Sequence, residues 1–240
     1  MTTEPAPART ASRNGFGGWK TALAAGLLGA VVGGGAVAYA SRQSVRDYLL
    51  ENPEVLPEAM DKLREREAAR MVSANRAALE TPFAGAWAGA ANGDVVLVEF
   101  FDYACGFCRK SNADVDRLLR EDPKLKVVWR EWPVLGPDSE AAARTSLAAA
   151  RAGRFKPFHD ALFAAGRPSP EAVAKARAAV ALAGDLPPAA TDGELGRNFQ
   201  LARSLEASGT PTFVVGDQIF QGAVGFEALR DAVRKARAKG

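Results

Sequence analysis

The chain has only two cysteines, Cys105 and Cys108, and they stand in the tetrapeptide Cys105-Gly106-Phe107-Cys108. A bridge between them closes almost no loop, so it removes little entropy from the unfolded chain and cannot act as a structural staple. Two thiols at this spacing instead suit chemistry. The run that precedes them, Val95 to Phe101 (VVLVEFF), is continuously apolar, as in a strand buried on both faces. The residues that follow show helical spacing through Val115, Leu118 and Leu119. Cys105 therefore falls at the start of a helix, where unpaired N–H groups and the macrodipole favour an anion and lower a thiol pKa. It is expected to be an exposed thiolate and the attacking nucleophile. Cys108, one turn on, points inward and is expected to resolve the mixed disulfide. Structural zinc needs about four ligands, and beyond the pair the chain offers a single, distant histidine, His159. Copper(I) accepts two soft thiolates, so a binding protein using the same cysteines stays open as an alternative function. Otherwise no metal and no cofactor is expected, because the cysteine pair itself carries the electrons.

Two further residues belong with the pair. Glu99 sits six positions before Cys105 inside the apolar strand. A buried acid responds to desolvation with a raised pKa, and below the thiols it could exchange the proton of Cys108. The competing expectation is that it faces outward or pairs with a base such as Lys110. Pro211, in Gly209-Thr210-Pro211-Thr212, opens a later strand, and a proline there is a candidate for a cis bond.

These residues need a frame. Val95–Phe101, the helix after the cysteines and Leu125–Trp132 make a βαβ unit with the thiols at its first strand-to-helix turn. Residues 95–138 are read as the first half of the catalytic fold, and 139–207 as an Ala-rich helical insert. That insert is punctuated at Gly153, Pro157, Gly166-Arg167-Pro168 and Leu186-Pro187-Pro188. Residues 208–240 form the second half, with a hairpin turning at Gly216-Asp217 and a closing helix that buries Phe226, Leu229 and Val233.

The N-terminal third differs in kind. Residues 1–20 are a polar leader carrying Arg9, Arg13 and Lys20 against Glu4. Residues 21–40 are 20 uncharged residues, the length an α-helix needs to span a bilayer core. Basic residues ahead of them place the leader in the cytoplasm and the remainder outside it. Ala38-Tyr39-Ala40 is a cleavage pattern, so the segment is either an anchor or a signal released after Ala40. Residues 41–80 read as a helical stalk, too polar for a core helix, with an N-cap at Asn52 before Pro53 and a thin apolar seam of Leu56, Met60 and Leu63. Such a seam needs a partner, and self-association is the simplest. Residues 81–94 are a linker rich in small residues.

Across these segments the motifs resemble the DsbA-like branch of the thioredoxin superfamily, closest to its ScsC-like members with an N-terminal helical extension. The matching pieces are Val98-Glu99-Phe100-Phe101-Asp102-Tyr103 before the cysteines, Trp129 to Gly136 (WREWPVLG), Phe158 to Phe163 (FHDALF) and Gly209 to Phe213 (GTPTF). The resemblance implies an α/β thioredoxin fold with an inserted helical domain and Thr210-Pro211 as a cis turn facing Cys105. It places Glu99 at the family's buried acid and Thr210, Pro211, Gly106 and Phe107 against substrate. Many relatives carry proline after the first cysteine, whereas this chain has Gly106. The implied protein is an exported, periplasmic thiol–disulfide oxidoreductase acting on unfolded or misfolded clients, reset by a membrane redox partner and held in a homo-oligomer through residues 41–80. Isomerase is favoured over oxidase, since several active sites on one scaffold suit bond reshuffling.

Composition agrees with a globular catalytic fold. Hydrophobic residues make up 48% of the chain and charged ones 25%, which excludes wholesale disorder. The net charge is only +3 and the signs are interleaved, so nucleic acid is not an expected partner.

Overall fold

In the computed structural model residues 44–239 are described; the leader and the 21–40 segment lie outside them, and with them the expectations of an anchor or cleaved signal. Among the described residues no helix is long and apolar enough to cross a membrane. The chain divides into two units, Met1–Met60 and Asp61–Gly240.

In the first unit, residues 44–51 form helix α1. Asn52, expected as an N-cap, turns the other way. Its backbone N–H and its side-chain amide both donate to the Tyr48 carbonyl, at 2.8 and 2.9 Å, and so close α1. Helix α2, Val55–Glu80, follows. On it Leu56, Met60 and Leu63 are 52–55% exposed, the uncovered seam the sequence suggests.

The second unit is built on a five-stranded sheet. Its strands are β1 Trp87–Gly89, β2 Val95–Phe101, β3 Leu125–Glu131, β4 Thr212–Val215 and β5 Gln218–Gln221, in the order β1-β3-β2-β4-β5. β2 and β3 are parallel, in register from Val95↔Leu125 to Phe101↔Glu131, and every other pairing is antiparallel. The helices are α3 Gly106–Glu121, α4 Pro137–Arg151, α5 Phe155–Ala165, α6 Pro170–Ala179, α7 Pro188–Ser204 and α8 Phe226–Arg237. Alternation along β2 explains its unbroken apolar run. Val95, Leu97 and Phe101 pack on one face with residues of α3, α5 and α8, while Val98 and Phe100 pack on the other with α7 and the end of α2.

That last contact corrects the reading of residues 41–80 as a stalk outside the core. Val72 and Leu79 are each 1% exposed against Val98, Phe100 and Val128. Two apolar residues seven apart in a charged helix give little periodic signal, yet they suffice to dock it. Arg130 fastens the same end, donating to the Ala78, Leu79 and Thr81 carbonyls that α2 leaves unpaired. Its charge is met by Glu194 on α7 at 3.1 Å. The 81–94 stretch is likewise more than a linker, because its Trp87–Gly89 forms an edge strand on β3. Three residues are too few to show alternation. Pro157, expected to interrupt the insert, lies in the first turn of α5, where a missing N–H costs no helical bond.

Candidate active site

The parallel pair β2 and β3 ends at the same edge of the sheet, and the chain turns there into the cysteine loop. Asp102, at the tip of β2, is 1% exposed and organises that turn. Its carboxylate accepts the Ala104 N–H at 2.7 Å, the Val134 and Leu135 N–H groups at 2.8 and 2.9 Å, and the Ser139 hydroxyl at 2.6 Å. Its carbonyl accepts the Cys105 N–H at 3.0 Å. One side chain thus ties the cysteine loop to the segment after β3. The sequence gives no hint of this role beyond an acid at the end of a buried strand.

Cys105 is the N-cap of α3 and Cys108 lies in its first turn. The two thiols differ sharply. Cys105 is drawn down to about 5, chiefly because the Cys108 thiol donates to its sulfur, with further donation from the Thr210 side chain and the Cys108 and Phe107 N–H groups; burial opposes these. Burial pushes the Cys108 thiol far above the ordinary range, and its donation to Cys105 and the nearby Glu99 push the same way. The expectation of an exposed Cys105 needs correction: the residue is only 6% exposed. Its sulfur lies 3.2 Å from the Thr210 carbonyl oxygen, and this loop covers it. The Thr210–Pro211 peptide is cis. Phe107, by contrast, is 66% exposed beside the thiols. Gly106, at the first position of α3, has no left-handed backbone and open space where a Cβ would stand.

Glu99 is 2% exposed and does not face solvent. The Trp129 indole N–H, on the neighbouring strand in direct register, donates to it at 3.0 Å. Burial, the dominant effect, raises its pKa to about 8 despite that hydrogen bond, and negative charge on Asp116 and Cys105 adds to the rise. Negative charge on Cys105 raises Glu99, and charge on Glu99 in turn raises Cys108, so the acid is electrostatically coupled to both thiols.

A second buried polar chain went unnoticed in the sequence. The Tyr103 hydroxyl is 2.8 Å from Ser146 and 3.4 Å from Nδ1 of His159, whose Nε2 is 3.1 Å from Asn112. Burial holds His159 neutral, its pKa well below 6.5. Its ring stacks among Phe101, Trp129, Phe155 and Phe163, which makes it a packing residue. Glu131, 2% exposed, is pushed well above the carboxylate range by burial. Among the described residues no group of three or more His, Cys, Asp and Glu is arranged to hold a metal ion.

A buried mixed sheet, a helical insert, a cis-proline loop over a Cys-x-x-Cys helix start: these define a thioredoxin fold with a thiol pair at its catalytic edge. Residues 96–234 match the DSBA-like thioredoxin domain, and the chain belongs to that family. Residues 42–70 match the copper resistance protein ScsC N-terminal domain. Among solved structures, Proteus mirabilis ScsC in a transitional conformation is 28% identical with a TM-score of 0.67, covering 86% of this chain and 99% of that one. A thioredoxin-like oxidoreductase from Silicibacter pomeroyi is 35% identical with a TM-score of 0.59, over 67% of this chain and 95% of that one. The Na(+)/H(+) antiporter NhaA 1 of Salinispora arenicola is 31% identical over 163 residues, 59% of this chain; the chain spans 23% of that relative's length.

Proposed function

We propose that the chain is an exported thiol–disulfide oxidoreductase that acts on disulfides of other proteins, as an isomerase rather than a dedicated oxidase. The observation that carries this is the opposed proton affinity of the pair: Cys105 drawn down to about 5 at a helix start, Cys108 held protonated beneath it. At neutral pH the Cys105 thiolate attacks a client disulfide, forming one S–S bond and expelling the client's other sulfur as thiolate. The negative charge of Cys105 is lost in that step. Glu99, whose pKa that charge helps to raise, then releases its proton to solvent, and the carboxylate so formed takes the Cys108 proton. The Cys108 thiolate attacks the Cys105 sulfur, frees the client as thiolate and leaves the pair oxidised. If a second client thiol attacks first, the client is isomerised and Cys105 returns as thiolate. Gly106, exposed Phe107, Thr210 and Pro211 border the sulfur and contact the client.

A copper(I) site would use both sulfurs as thiolates, so the metal would have to displace the Cys108 proton. The 21–40 segment suits a tether to the inner membrane or a signal lost after Ala40, with the catalytic unit in the periplasm. There a membrane partner would keep the pair reduced. The likeness to a periplasmic thioredoxin-like protein from Salmonella enterica, at 26% identity, supports that compartment.

Isomerase activity is tied to self-association through Leu56, Met60 and Leu63, which stand uncovered on α2. Because Val72 and Leu79 root the helix in the core, the seam is best tested by the exposed triple substitution Leu56→Lys, Met60→Lys and Leu63→Lys rather than by truncation. Light scattering should show the wild type as an oligomer and the variant as a monomer. Refolding of scrambled ribonuclease should drop several-fold in the variant while insulin reduction persists. Equal refolding by a monomeric variant would refute the link between assembly and isomerisation.

A further inference from the structure

On the sheet face opposite the thiols lies a cavity of about 650 Å³. Phe100 and Arg130, paired across β2 and β3, face α2 and α7, whereas Trp129 packs on the side of the cysteines. The cavity is walled by the last turns of α2, the 81–84 segment, the end of α4 and one side of α7, and no residue of the thiol site lines it. Ala78, Pro82, Phe83 and Leu201 supply its apolar surface. Its size falls within the range of small-molecule sites. The 81–84 segment is held in place from both ends. Arg130 donates to the Thr81 carbonyl, and the Gly85 N–H donates to the Ala150 carbonyl at 3.0 Å. A Cβ at Gly85 would stand 2.8 Å from that same oxygen, so glycine is what lets the segment approach α4 so closely. Between these ties Ala84 keeps φ at +46°, a left-handed backbone that alanine rarely adopts. The cavity is therefore built in advance rather than shaped by an occupant.

Charge in the cavity is one-sided. Arg130, Arg151 and Arg197 meet a single carboxylate, Glu194, so three positive groups against one negative leave an excess of two positive charges. Glu194 is already shared, with Arg130 at 3.1 Å and Arg197 at 2.6 Å. Arg130 is 4% exposed, and its Nε–H is buried without an acceptor. Unpaired buried donors are rare and costly. Arg151, exposed at the end of α4, has no carboxylate partner among the described residues. Its guanidinium lies over the Phe83 ring instead, 5.2 Å from the centroid. That ring holds the charge in the cavity wall and leaves the N–H donors free for an anion. Arg130 is occupied in capping α2, whereas Arg151 serves no acceptor of the fold among the described residues.

We infer that this cavity is a binding site for a small organic carboxylate with a flat apolar body, its charge on Arg151 and Arg197 and its body against Phe83, Pro82 and Leu201. The planar guanidinium fork matches a carboxylate, and the surplus positive charge selects an acid over its neutral analogue. Because α2, β3 and α7 all line the cavity, a ligand there ties α2 to the sheet. The site uses neither cysteine, so it stands or falls separately from the thiol-exchange reading.

The test titrates indole-3-acetate and its neutral analogue indole-3-acetamide into the reduced full-length protein by calorimetry. The wild type should bind the acid about tenfold more tightly than the amide, the worth of one charge-assisted hydrogen bond. Arg151→Gln should bring that ratio close to one. Gln200→Trp, which sets a ring into the cavity from the exposed side of α7, should abolish binding of both probes. Circular dichroism confirms that both variants are folded. Saturating acid should slow amide hydrogen exchange in residues 75–84 and 197–204, which locates the site. Protein blocked at Cys105 with iodoacetamide should bind the acid as before. Equal affinity for acid and amide, or an acid preference that survives Arg151→Gln, would overturn the site. So would binding of neither probe by the wild type. Loss of binding on blocking Cys105 would put the probe at the thiol edge and overturn it as well.

Discussion

Cys105→Ser is expected to abolish disulfide exchange, whereas Cys108→Ser leaves a protein that attacks clients and cannot let go. The difference follows from the geometry of the two sulfurs. Cys105 carries the thiolate at the helix start, and no other group among the described residues can replace it as nucleophile. Cys108 is 1% exposed and sits below, able to reach the Cys105 sulfur but not a client. In Cys108→Ser, mixed disulfides with client proteins should therefore accumulate and be visible on non-reducing gels, and dithiothreitol should release them. The double substitution should trap nothing. If Cys108→Ser trapped no clients while Cys105→Ser did, the roles would be reversed.

The second large effect belongs to Glu99→Gln, and it separates stability from turnover. The folded pKa of Glu99, about 8, is raised above its unfolded value of 4.5, so the folded state holds a proton that the unfolded chain releases between these values. The wild type should therefore lose stability as pH rises from about 4.5 to 8, by on the order of 5 kcal/mol, and then level off. Glutamine keeps the acceptor for the Trp129 N–H but cannot ionise. The variant should lack this pH slope and, above pH 8, be the more stable protein, less about 1–3 kcal/mol for its unpaired amide hydrogens. Turnover should move the other way. Without a proton acceptor for Cys108, release of the mixed disulfide should slow about a hundredfold at pH 7. Denaturant titrations across pH and a stopped-flow measurement of release check the two halves. A wild type whose stability is flat over this range would show that Glu99 does not titrate as its burial requires.

The chemistry was more legible in the sequence than its scaffold. Cys105 and Cys108 announce themselves by type and spacing, and the seven apolar residues of β2 mark the central strand that presents them. Glu99 stands out because an acid is conspicuous in such a run. What the sequence hid were contacts set by tertiary packing. Val72 and Leu79 dock α2 with only two apolar residues amid charge, so the periodicity that marks an amphipathic helix is nearly absent. Arg130 and Glu131 look like an ordinary charged step at the end of β3; only the fold reveals that one caps α2 and the other is buried. Trp87–Gly89 joins the sheet at its edge with three residues, where backbone pairing rather than side-chain pattern defines the strand. Asp102 lies inside a motif the sequence made visible, but three of its four acceptor contacts are to residues more than 30 positions away.

The exchange chemistry depends most directly on Cys105 being a thiolate well below neutral pH. Its alkylation by iodoacetamide, followed in the reduced full-length protein from pH 3 to 10 with Cys108→Ser as a control for the second thiol, reads that claim. The Cys108 thiol is the chief donor to the Cys105 sulfur, so the control should titrate higher than the wild type. In the wild type the rate should rise through a midpoint near 5 and be flat by pH 7. A single rise near the ordinary thiol value of about 8.5 would contradict the account at its centre.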